Sequence, residues 1–388
     1  YEFFAELSNV RFTNRALFER ESMVDTQTYT HLRSIGLAVP VPTRRGSLVL
    51  AAGYNRVLDF DENLIFSGFA QESNGLAFDI TDEKDITRTY PFDRDVLRSE
   101  EVTSEGGLAQ WSVGGAIALS PHFLAGATVS YVVGKEDYHS QFVQDDTENR
   151  YTLYPGDFHR YEIDRYLQSA HRALAARIGG LVHFDWGLRI GGVVTLPVRY
   201  HVEEVHSSAD ELTFDDGFVD AAEDNGQWDY TVSTPYTLDA GLSQRMKFLT
   251  LSASLRYRDW SQTRFRVGRR DLADADYRQL LEENATIRRL YGATVEYRLG
   301  GEMALNPIGI TLRGGFLLLP SPLKGAGPER DREFITGGLR YALDRDIHLD
   351  LAYLAGRWER ETRDDFTPAG TLEKIFLGKL LVGLSYRF

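Results

Sequence analysis

The stretch FLTLSASLRYRDW, residues 248–260, decides the fold because apolar and polar side chains alternate along it with a period of two. Successive side chains of an extended strand point to opposite faces, so this period separates them into two sets. One face carries Leu251, Leu255 and Tyr257, and the other carries Arg256 and Arg258. The pattern predicts a β-strand that has one apolar and one polar face.

The same period recurs along the chain, for example in IHLDLAYLAGRW (residues 347–358) and FLGKLLVGLSYRF (residues 376–388). Tight turns join the predicted strands in pairs, at residues 42–46, 120–121, 185–187, 245–247 and 343–346, with a slightly longer connection near residues 301–307. Long polar segments separate the pairs, at residues 59–109, 135–171, 201–234, 261–288, 319–330 and 359–375. Short turns that alternate with long loops are typical of outer-membrane barrels.

The predicted strands add up to 14: a first strand within residues 1–10, a C-terminal strand, and six hairpins at residues 33–58, 110–134, 172–200, 235–260, 289–318 and 331–358. An even number lets the first and last strands meet. Closure matters because an open sheet edge in lipid leaves backbone groups unpaired, at a cost of several kcal/mol each. The sequence therefore predicts an all-β fold in which residues 1–388 form one transmembrane domain. This domain is a 14-stranded antiparallel β-barrel of the bacterial outer membrane, with short periplasmic turns and long extracellular loops.

A soluble β-solenoid or a set of sandwiches is the competing interpretation, since any half-buried sheet alternates in this way. The predicted strands have about 10 to 13 residues, which is longer than usual for globular sheets but suits a tilted span of a bilayer. Aromatic residues near the strand ends of the apolar face also indicate interfacial girdles. These residues are Tyr54, Tyr131, Tyr200, Tyr257, Tyr297, Tyr341, Tyr353 and Tyr386.

The composition excludes several other classes of protein. The chain has 388 residues and no cysteine, which excludes a disulfide framework and any thiolate metal site. The 43 Lys and Arg against 57 Asp and Glu give a net charge of −14, which argues against nucleic acid as a partner. No apolar run approaches the roughly 18 residues that a membrane helix needs.

Acidic residues concentrate in two of the polar segments. Residues 59–109 hold 13 acids and four bases, and residues 201–234 hold ten acids and neither Lys nor Arg. The second segment could collect divalent cations, including those that bridge surface lipopolysaccharide. Its spacing fits no EF-hand loop, however, which favours a solvated acidic loop instead.

The strand parity predicts a basic lumen. The inward bases are Arg177, Arg189, Arg199, Arg245, Arg256, Arg258, Arg298, Arg313, Arg332, Arg340, Lys379 and Arg387, against the acids Asp239, Glu296 and Asp350. Two interpretations stay open: the bases hold the anionic head of a cargo molecule, or they pair with acidic segments folded inward. Apolar residues also face inward, as a conduit for hydrophobic ligands requires and a water-filled porin does not. They are Leu124, Val193, Leu290, Leu317, Phe334, Leu354, Trp358 and Leu381.

Five stretches resemble the FadL family of outer-membrane transporters for long-chain fatty acids and other hydrophobic compounds. They are SLVLAAGYNRVLDF (47–60), GGVVTLPVRYHVEE (191–204), STPYTLDAGLSQR (233–245), SLRYRDWSQTRF (254–265), and ITLRGGFLLLPSPLKG (310–325) followed by DREFITGGLRYAL (331–343). The resemblance implies 14 strands, an N-terminal segment that plugs the lumen, and a lateral opening in the wall. The family's plug starts with an Asn-Pro-Ala motif, and no such motif precedes Tyr1, so we expect this chain to lack the plug.

The resemblance implies passive passage of hydrophobic compounds such as long-chain fatty acids, in contact with outer-membrane lipids and lipopolysaccharide. The alternative is a structural or secretion-associated barrel that binds envelope proteins, because a PorV-like branch of the family serves type IX secretion. The nine His are scattered, and neither His-Glu-x-x-His nor Gly-x-Ser-x-Gly occurs, so we expect no enzyme activity, metal or cofactor.

The inward parity predicts a ligand site in the lumen. We expect four arginines to hold an anionic head over an apolar lining, and the predicted set is Arg256, Arg258, Arg313 and Arg340 with Phe334, Leu354 and Trp358. Apolar spacing in residues 271–284 further predicts a short loop helix at the barrel mouth.

Overall fold

The computed structural model describes residues 1–44, 46–81, 84–267, 274–305 and 308–388, without the side chains of residues 274–277. The strands are β1 Glu2–Phe18, β2 Glu21–Val41, β3 Leu48–Asp59, β4 Glu62–Ala70, β5 Ala77–Thr81, β6 Thr87–Pro91, β7 Val96–Ala118, β8 Phe123–Asp145, β9 Phe158–His183, β10 Leu188–Thr195, β11 Arg199–Phe214, β12 Val219–Ser233, β13 Thr237–Arg245, β14 Leu249–Asp259, β15 Arg264–Arg266, β16 Ala293–Leu305, β17 Ile310–Leu319, β18 Arg332–Ala342, β19 Ile347–Thr362 and β20 Thr371–Arg387. The helix α1 spans Asp274–Leu290, and short 3₁₀ turns span Trp260–Gln262 and Pro328–Arg330. Among the described residues, no helix is long and apolar enough to cross a membrane.

The strands close into an antiparallel barrel with 14 positions. Its order is β1, β2, β3, β7, β8, β9, β10, β13, β14, β16, β17, β18, β19 and β20. The ring closes because β1 pairs with β20 from Glu2 opposite Arg387, and the amino group of Tyr1 donates to the carbonyl of Phe388 at 2.9 Å. The predicted 14-stranded barrel and its turns are confirmed.

The membrane occupies only the periplasmic half of the longest strands. The strands β7, β8 and β9 have 23, 23 and 26 residues, about twice a tilted span of lipid. On the outer face of β8, Phe123, Val129 and Tyr131 are exposed and apolar, whereas Lys135 and Asp137 beyond them are exposed and polar. The outer half of the barrel therefore stands in water on the extracellular side.

This extension corrects the predicted long loops. Much of residues 135–171 and almost all of residues 201–234 are paired strands, and β11 pairs with β12 through the whole acidic segment. The predicted first hairpin at residues 33–58 is confirmed as the paired part of β2 and β3, but the strand predicted within residues 1–10 is longer than expected and meets an extended β2 at a tight turn at residues 19–20. In the sequence, a strand that is polar on both faces looks like a loop. Here both faces are polar because the sheet projects beyond the membrane and water contacts its outer face.

Aromatic girdles flank the outer apolar band, as predicted. The periplasmic girdle contains Tyr1, Phe123, Phe184, Trp186, Phe248, Tyr341, Tyr386 and Phe388, and the upper girdle contains Tyr54, Trp111, Tyr131, Tyr257 and Tyr297. A closed barrel with such a band is a protein of the bacterial outer membrane.

Two residues predicted near one strand end lie on the wrong faces. Tyr200 faces the lumen and Arg199 faces outward, because residues 196–198 form a bulge between β10 and β11. At this bulge, three residues lie opposite two residues of β9. Pro197, within the bulge, has no N–H that could donate a hydrogen bond to the neighbouring strand. One extra residue exchanges the two faces of everything beyond it.

The loop helix is confirmed as α1, which starts later and runs further than predicted; residues 271–273 lie outside the described residues. Leu290, predicted on an inward strand face, ends this helix and is exposed. The side chain of Asn284 bonds both backbone groups of Phe265, at 2.8 and 3.1 Å, and so covers the free edge of β15.

Candidate functional site

A cavity of about 1240 Å³ occupies the membrane-embedded part of the lumen. It exists because inward positions at this level carry glycine on most of the strands, and a glycine leaves the space of a side chain empty. These glycines are Gly53, Gly114, Gly126, Gly179, Gly191, Gly241 and Gly300. Phe4, Leu124 and Val193 add apolar lining, as the sequence predicted for the last two.

Arg256, one of the four predicted anion-binding arginines, is already paired. Its Nε donates to Asp239 at 2.7 Å, and its Nη1 lies 3.7 Å from Glu296. Arg298 on the neighbouring strand donates to Glu296 at 2.6 Å. This two-by-two network neutralises one side of the cavity, so Arg256 is poorly placed to hold a second anion.

Arg313 and Arg340 lie close together, but they lie at the periplasmic end of the lumen and are paired with carboxylates. Arg313 donates to Glu302 at 2.8 Å and to Asp350 at 2.9 Å. Arg340 forms a bidentate pair with Asp350, at 2.8 and 2.9 Å. The four arginines therefore do not form one patch, and Glu302 was missed because residues 301–307 were predicted as a connection, whereas β16 continues to Leu305.

Arg258 differs from the other three. Its Nε donates to Thr237 at 3.1 Å and its guanidinium stacks on Trp260 at 4.6 Å, while no carboxylate of the described residues lies within ion-pair distance. Arg177, which lines the cavity, likewise has no such ion pair within the described part of the chain. The two lie at one level of the wall, since Arg177 pairs with Thr195, and Thr237 pairs with both Thr195 and Arg258.

Two apolar clusters lie above the cavity. The predicted lining residues Phe334, Leu354 and Trp358 come together with Phe12 and Ile375, and Arg332 stacks on the Trp358 ring at 4.8 Å. On the opposite side of the lumen, Tyr200 packs on a second cluster that the sequence did not indicate, because the bulge hides its parity. That cluster contains Leu108, Val132, Ala173, Ala175 and Val198.

The third strand of the barrel bends inward where β3 passes into β4. The ladder between β2 and β3 ends at Ser34 opposite Asn55, whereas the ladder to β7 continues along β4. Beyond that point only side chains bridge β2 to the bent strand, including His31 to Asp61 at 2.7 Å. The wall has no backbone ladder there.

Charges of the bent strand reach across the lumen. Asp59 accepts from Lys379 of β20 at 2.8 Å, and Glu62 accepts from Arg360 of β19 at 2.6 Å. The interpretation that lumenal bases pair with inward-folded acidic segments is confirmed for these two. Within the described residues, the one group of three possible metal ligands is His31, Asp59 and Asp61. Arg56 and Lys379 already neutralise its carboxylates, so the donor set does not fit a cation.

The extracellular mouth is closed by two segments with their own apolar core. Residues 71–81 and 84–95 and the loop at residues 363–370 fold over the top of the barrel and pack on β8, β9 and β11. Phe92 stacks on Phe158 at 4.7 Å, and Phe366 stacks on Phe142 at 4.9 Å. Cargo that enters from outside would therefore pass these segments.

Glu100 gives this closure a pH dependence. Burial and the nearby Asp364 carboxylate raise the pKa of Glu100 to about 7, against opposing effects from the Ser140 hydroxyl at 3.1 Å and from Arg165. The protonated form is favoured in the closed state, so its stabilisation is present at low pH and is lost as pH rises through about 7. We expect hydrogen exchange of residues 363–370, corrected for intrinsic rates, to increase between pH 5 and 8. Glu100→Gln should remove this increase and the exposed Glu101→Gln should not; the same increase in Glu100→Gln would contradict the assignment.

Solved structures share this fold. The toluene transporter TodX of Pseudomonas putida matches at 13% identity over 100% of this chain and 89% of that chain, with a TM-score of 0.56. A FadL homologue of Pseudomonas aeruginosa matches at 10% identity over 99% and 90%, with a TM-score of 0.54. The monoaromatic hydrocarbon channel CymD matches at 11% over 100% and 88%, with a TM-score of 0.51. The resemblance to FadL-type barrels is confirmed in the fold.

No protein-family model and no curated protein sequence matches the chain.

Proposed function

We propose that the protein is a passive channel for hydrophobic compounds across the outer membrane, with long-chain fatty acids as its cargo and with no enzymatic activity. The observation that carries this proposal is the cavity of about 1240 Å³ inside a closed barrel, whose lining is mostly glycine and apolar residues with a smaller number of polar and charged groups. A pore for hydrophilic solutes needs a wet, open lumen, whereas apolar cargo needs a largely apolar space with few polar groups. Channels of similar fold, named for toluene and monoaromatic hydrocarbons, support the same class of cargo.

The anionic head of a fatty acid would lie at Arg258 and Arg177, the cationic pair at the top of the cavity. A charge-assisted hydrogen bond there contributes roughly 1.5 to 3 kcal/mol, while each buried CH₂ contributes about 0.8 kcal/mol. The tail therefore dominates affinity, and the arginines set orientation. An aromatic hydrocarbon has no head for these arginines, so this pair is what favours fatty acids over the cargo of TodX and CymD.

The bend between β3 and β4 is the proposed lateral exit. The wall at this point is held by side chains instead of a backbone ladder, and the exposed Leu32, Val57 and Leu58 border it on the outer face. An apolar molecule that left there would reach the outer face beside these apolar side chains, at the upper edge of the membrane. The His31–Asp61 contact would have to open for it to pass.

The test is uptake by a strain that lacks its own fatty-acid transporter, with binding measured on purified protein. We expect the protein to restore uptake, and we expect Arg258→Ala to weaken fatty-acid binding by roughly tenfold while scarcely affecting the uncharged alcohol of equal chain length. Arg256→Ala is the matched control, because Arg256 is already paired with Asp239. Equal loss for both ligands would mean that Arg258 only lines the wall. No uptake, together with stable co-purification of envelope proteins, would favour the alternative of a structural or secretion-associated barrel.

A further inference from the structure

Three arginines lie side by side on the outer surface of the barrel. Arg199 pairs with Ser233 of β12, which in turn pairs with Arg264 of β15, so the two arginines are two strand spacings, roughly 10 Å, apart. Arg266 follows on the same face of β15. The intervening Phe265 faces inward, where its ring lies 5.5 Å from Tyr230, so the flanking arginines point outward and are exposed.

These arginines stand at the upper edge of the membrane. Arg199 pairs with Leu174, which pairs with Tyr131, and both of these are exposed residues at the top of the outer apolar band. Lipid headgroups occupy this level of a barrel, directly beyond the aromatic girdle.

Their charge is not neutralised within the described part of the chain. None of the three arginines has a carboxylate within ion-pair distance among those residues, and Arg264 and Arg199 both act on Arg266 by repulsion. By contrast, Arg172 and Arg357, which also face outward, have carboxylate partners in Glu203 and Glu333. Like charges held together at a membrane surface without a counter-charge form an anion site.

A cleft of about 570 Å³ adjoins the arginines and could hold the rest of a headgroup. Arg264, Arg266 and Arg288 line it together with polar groups from α1 and from residues 261–263. One of these, the hydroxyl oxygen of Thr263, is buried and has no hydrogen-bond partner. The cleft thus offers cations beside the acyl region of the membrane.

We infer that Arg199, Arg264 and Arg266 bind the phosphate of a phosphorylated outer-leaflet lipid, with the acyl chains lying along the adjacent apolar band. Guanidinium groups suit this ligand because their forked donors match phosphate oxygens. This site is independent of the lumen and differs from the acidic segment, where only bridging cations could attract such a lipid.

The experiment is titration of the purified barrel with lipid A carrying two phosphates, followed by native mass spectrometry, with lipid A stripped of phosphate and inorganic phosphate as comparison ligands. We expect the double substitution Arg264→Ala/Arg266→Ala to weaken binding of phosphorylated lipid A by roughly thirtyfold, and the stripped lipid to bind wild type and variant alike. The control is Arg357→Ala, an exposed outward arginine that already has a partner, which should change nothing.

Fatty-acid uptake separates this site from the lumen and reports that the variant is folded, since the double variant should keep wild-type uptake. Arg264→Lys/Arg266→Lys should recover part of the affinity because it restores the charges without the forked donors. Equal binding of both forms of lipid A by the wild type, or undiminished binding by the double alanine variant, would overturn the inference. Displacement of the lipid by millimolar inorganic phosphate would also overturn it, because the site would then be one for free phosphate.

Discussion

Uptake of fatty acids should fall to the background of cells without the protein when Gly191 and Gly383 are both replaced by tryptophan. Both glycines face the lumen, and they lie seven positions apart in the ring of 14 strands, so two indole rings would project into the lumen from opposite walls. An added Cβ at Gly383 meets only ordinary contacts at 3.6 Å, and at Gly191 the nearest atom is the flexible Leu181 side chain at 3.2 Å. The barrel should therefore fold, with its lumen narrowed from both sides.

The controls are the neighbouring outward glycines. Gly192→Trp and Gly337→Trp add the same rings on the lipid side, where a Cβ at Gly192 has no atom closer than 3.6 Å and one at Gly337 has none within 4 Å. This control pair should keep wild-type uptake and the same heat-modifiable gel migration. Full uptake by the Gly191→Trp/Gly383→Trp protein would show that cargo does not pass through this cavity, and would favour the structural or secretion-associated alternative.

The architecture could be predicted from the sequence because each of its determinants is local. The alternation of apolar and polar residues in residues 248–260 or 347–358 can be recognised without knowing the partner strand. Tight turns can likewise be recognised from their composition. The errors arise where a local pattern is ambiguous. A projecting hairpin such as β11–β12 is polar on its outer face, as a loop is, and the bulge at residues 196–198 inverts faces without any change in composition.

The lumenal site could be predicted only in part, for a different reason. Inward parity correctly placed Arg256, Arg313 and Arg340 in the lumen, but their partners lie on neighbouring strands far away in sequence. Asp350 is 37 residues from Arg313, and Lys379 is 320 residues from Asp59. Register decides which cations have no ion pair within the described residues, and only the folded barrel shows that Arg177, Arg189 and Arg258 are among them. The ligand role of the seven predicted site residues remains a prediction.

The bend of the third strand should depend on a single glycine, so Gly106→Ala is expected to destabilise the barrel by about 3 kcal/mol or more. Gly106 has a φ of 121°, and an added Cβ would clash with the backbone carbonyl oxygen of Lys135, which cannot move without its strand. An unfavourable backbone conformation and an overpacked contact each cost roughly 1 to 3 kcal/mol. Urea unfolding of the barrel in detergent measures the loss.

The hydrogen bonds of Gly106 also explain why its substitution should destabilise the lateral wall. The N–H of Gly106 donates to Asp61 at 3.1 Å, and its carbonyl accepts from the N–H of Phe60 at 3.0 Å, so Gly106 fixes both residues at the bend. Gly75→Ala is the matched control, because Gly75 has a φ of 76° but no atom within 4 Å of an added Cβ. Gly75→Ala should therefore cost only the backbone strain, about 1 kcal/mol. If the two variants lost equal stability, the contact with Lys135 would relax freely and β4 would not be held in place by Gly106. A larger loss of stability for Gly106→Ala, together with faster hydrogen exchange in residues 60–66, would show that the opening in the wall depends on the close approach of the Gly106 and Lys135 backbones.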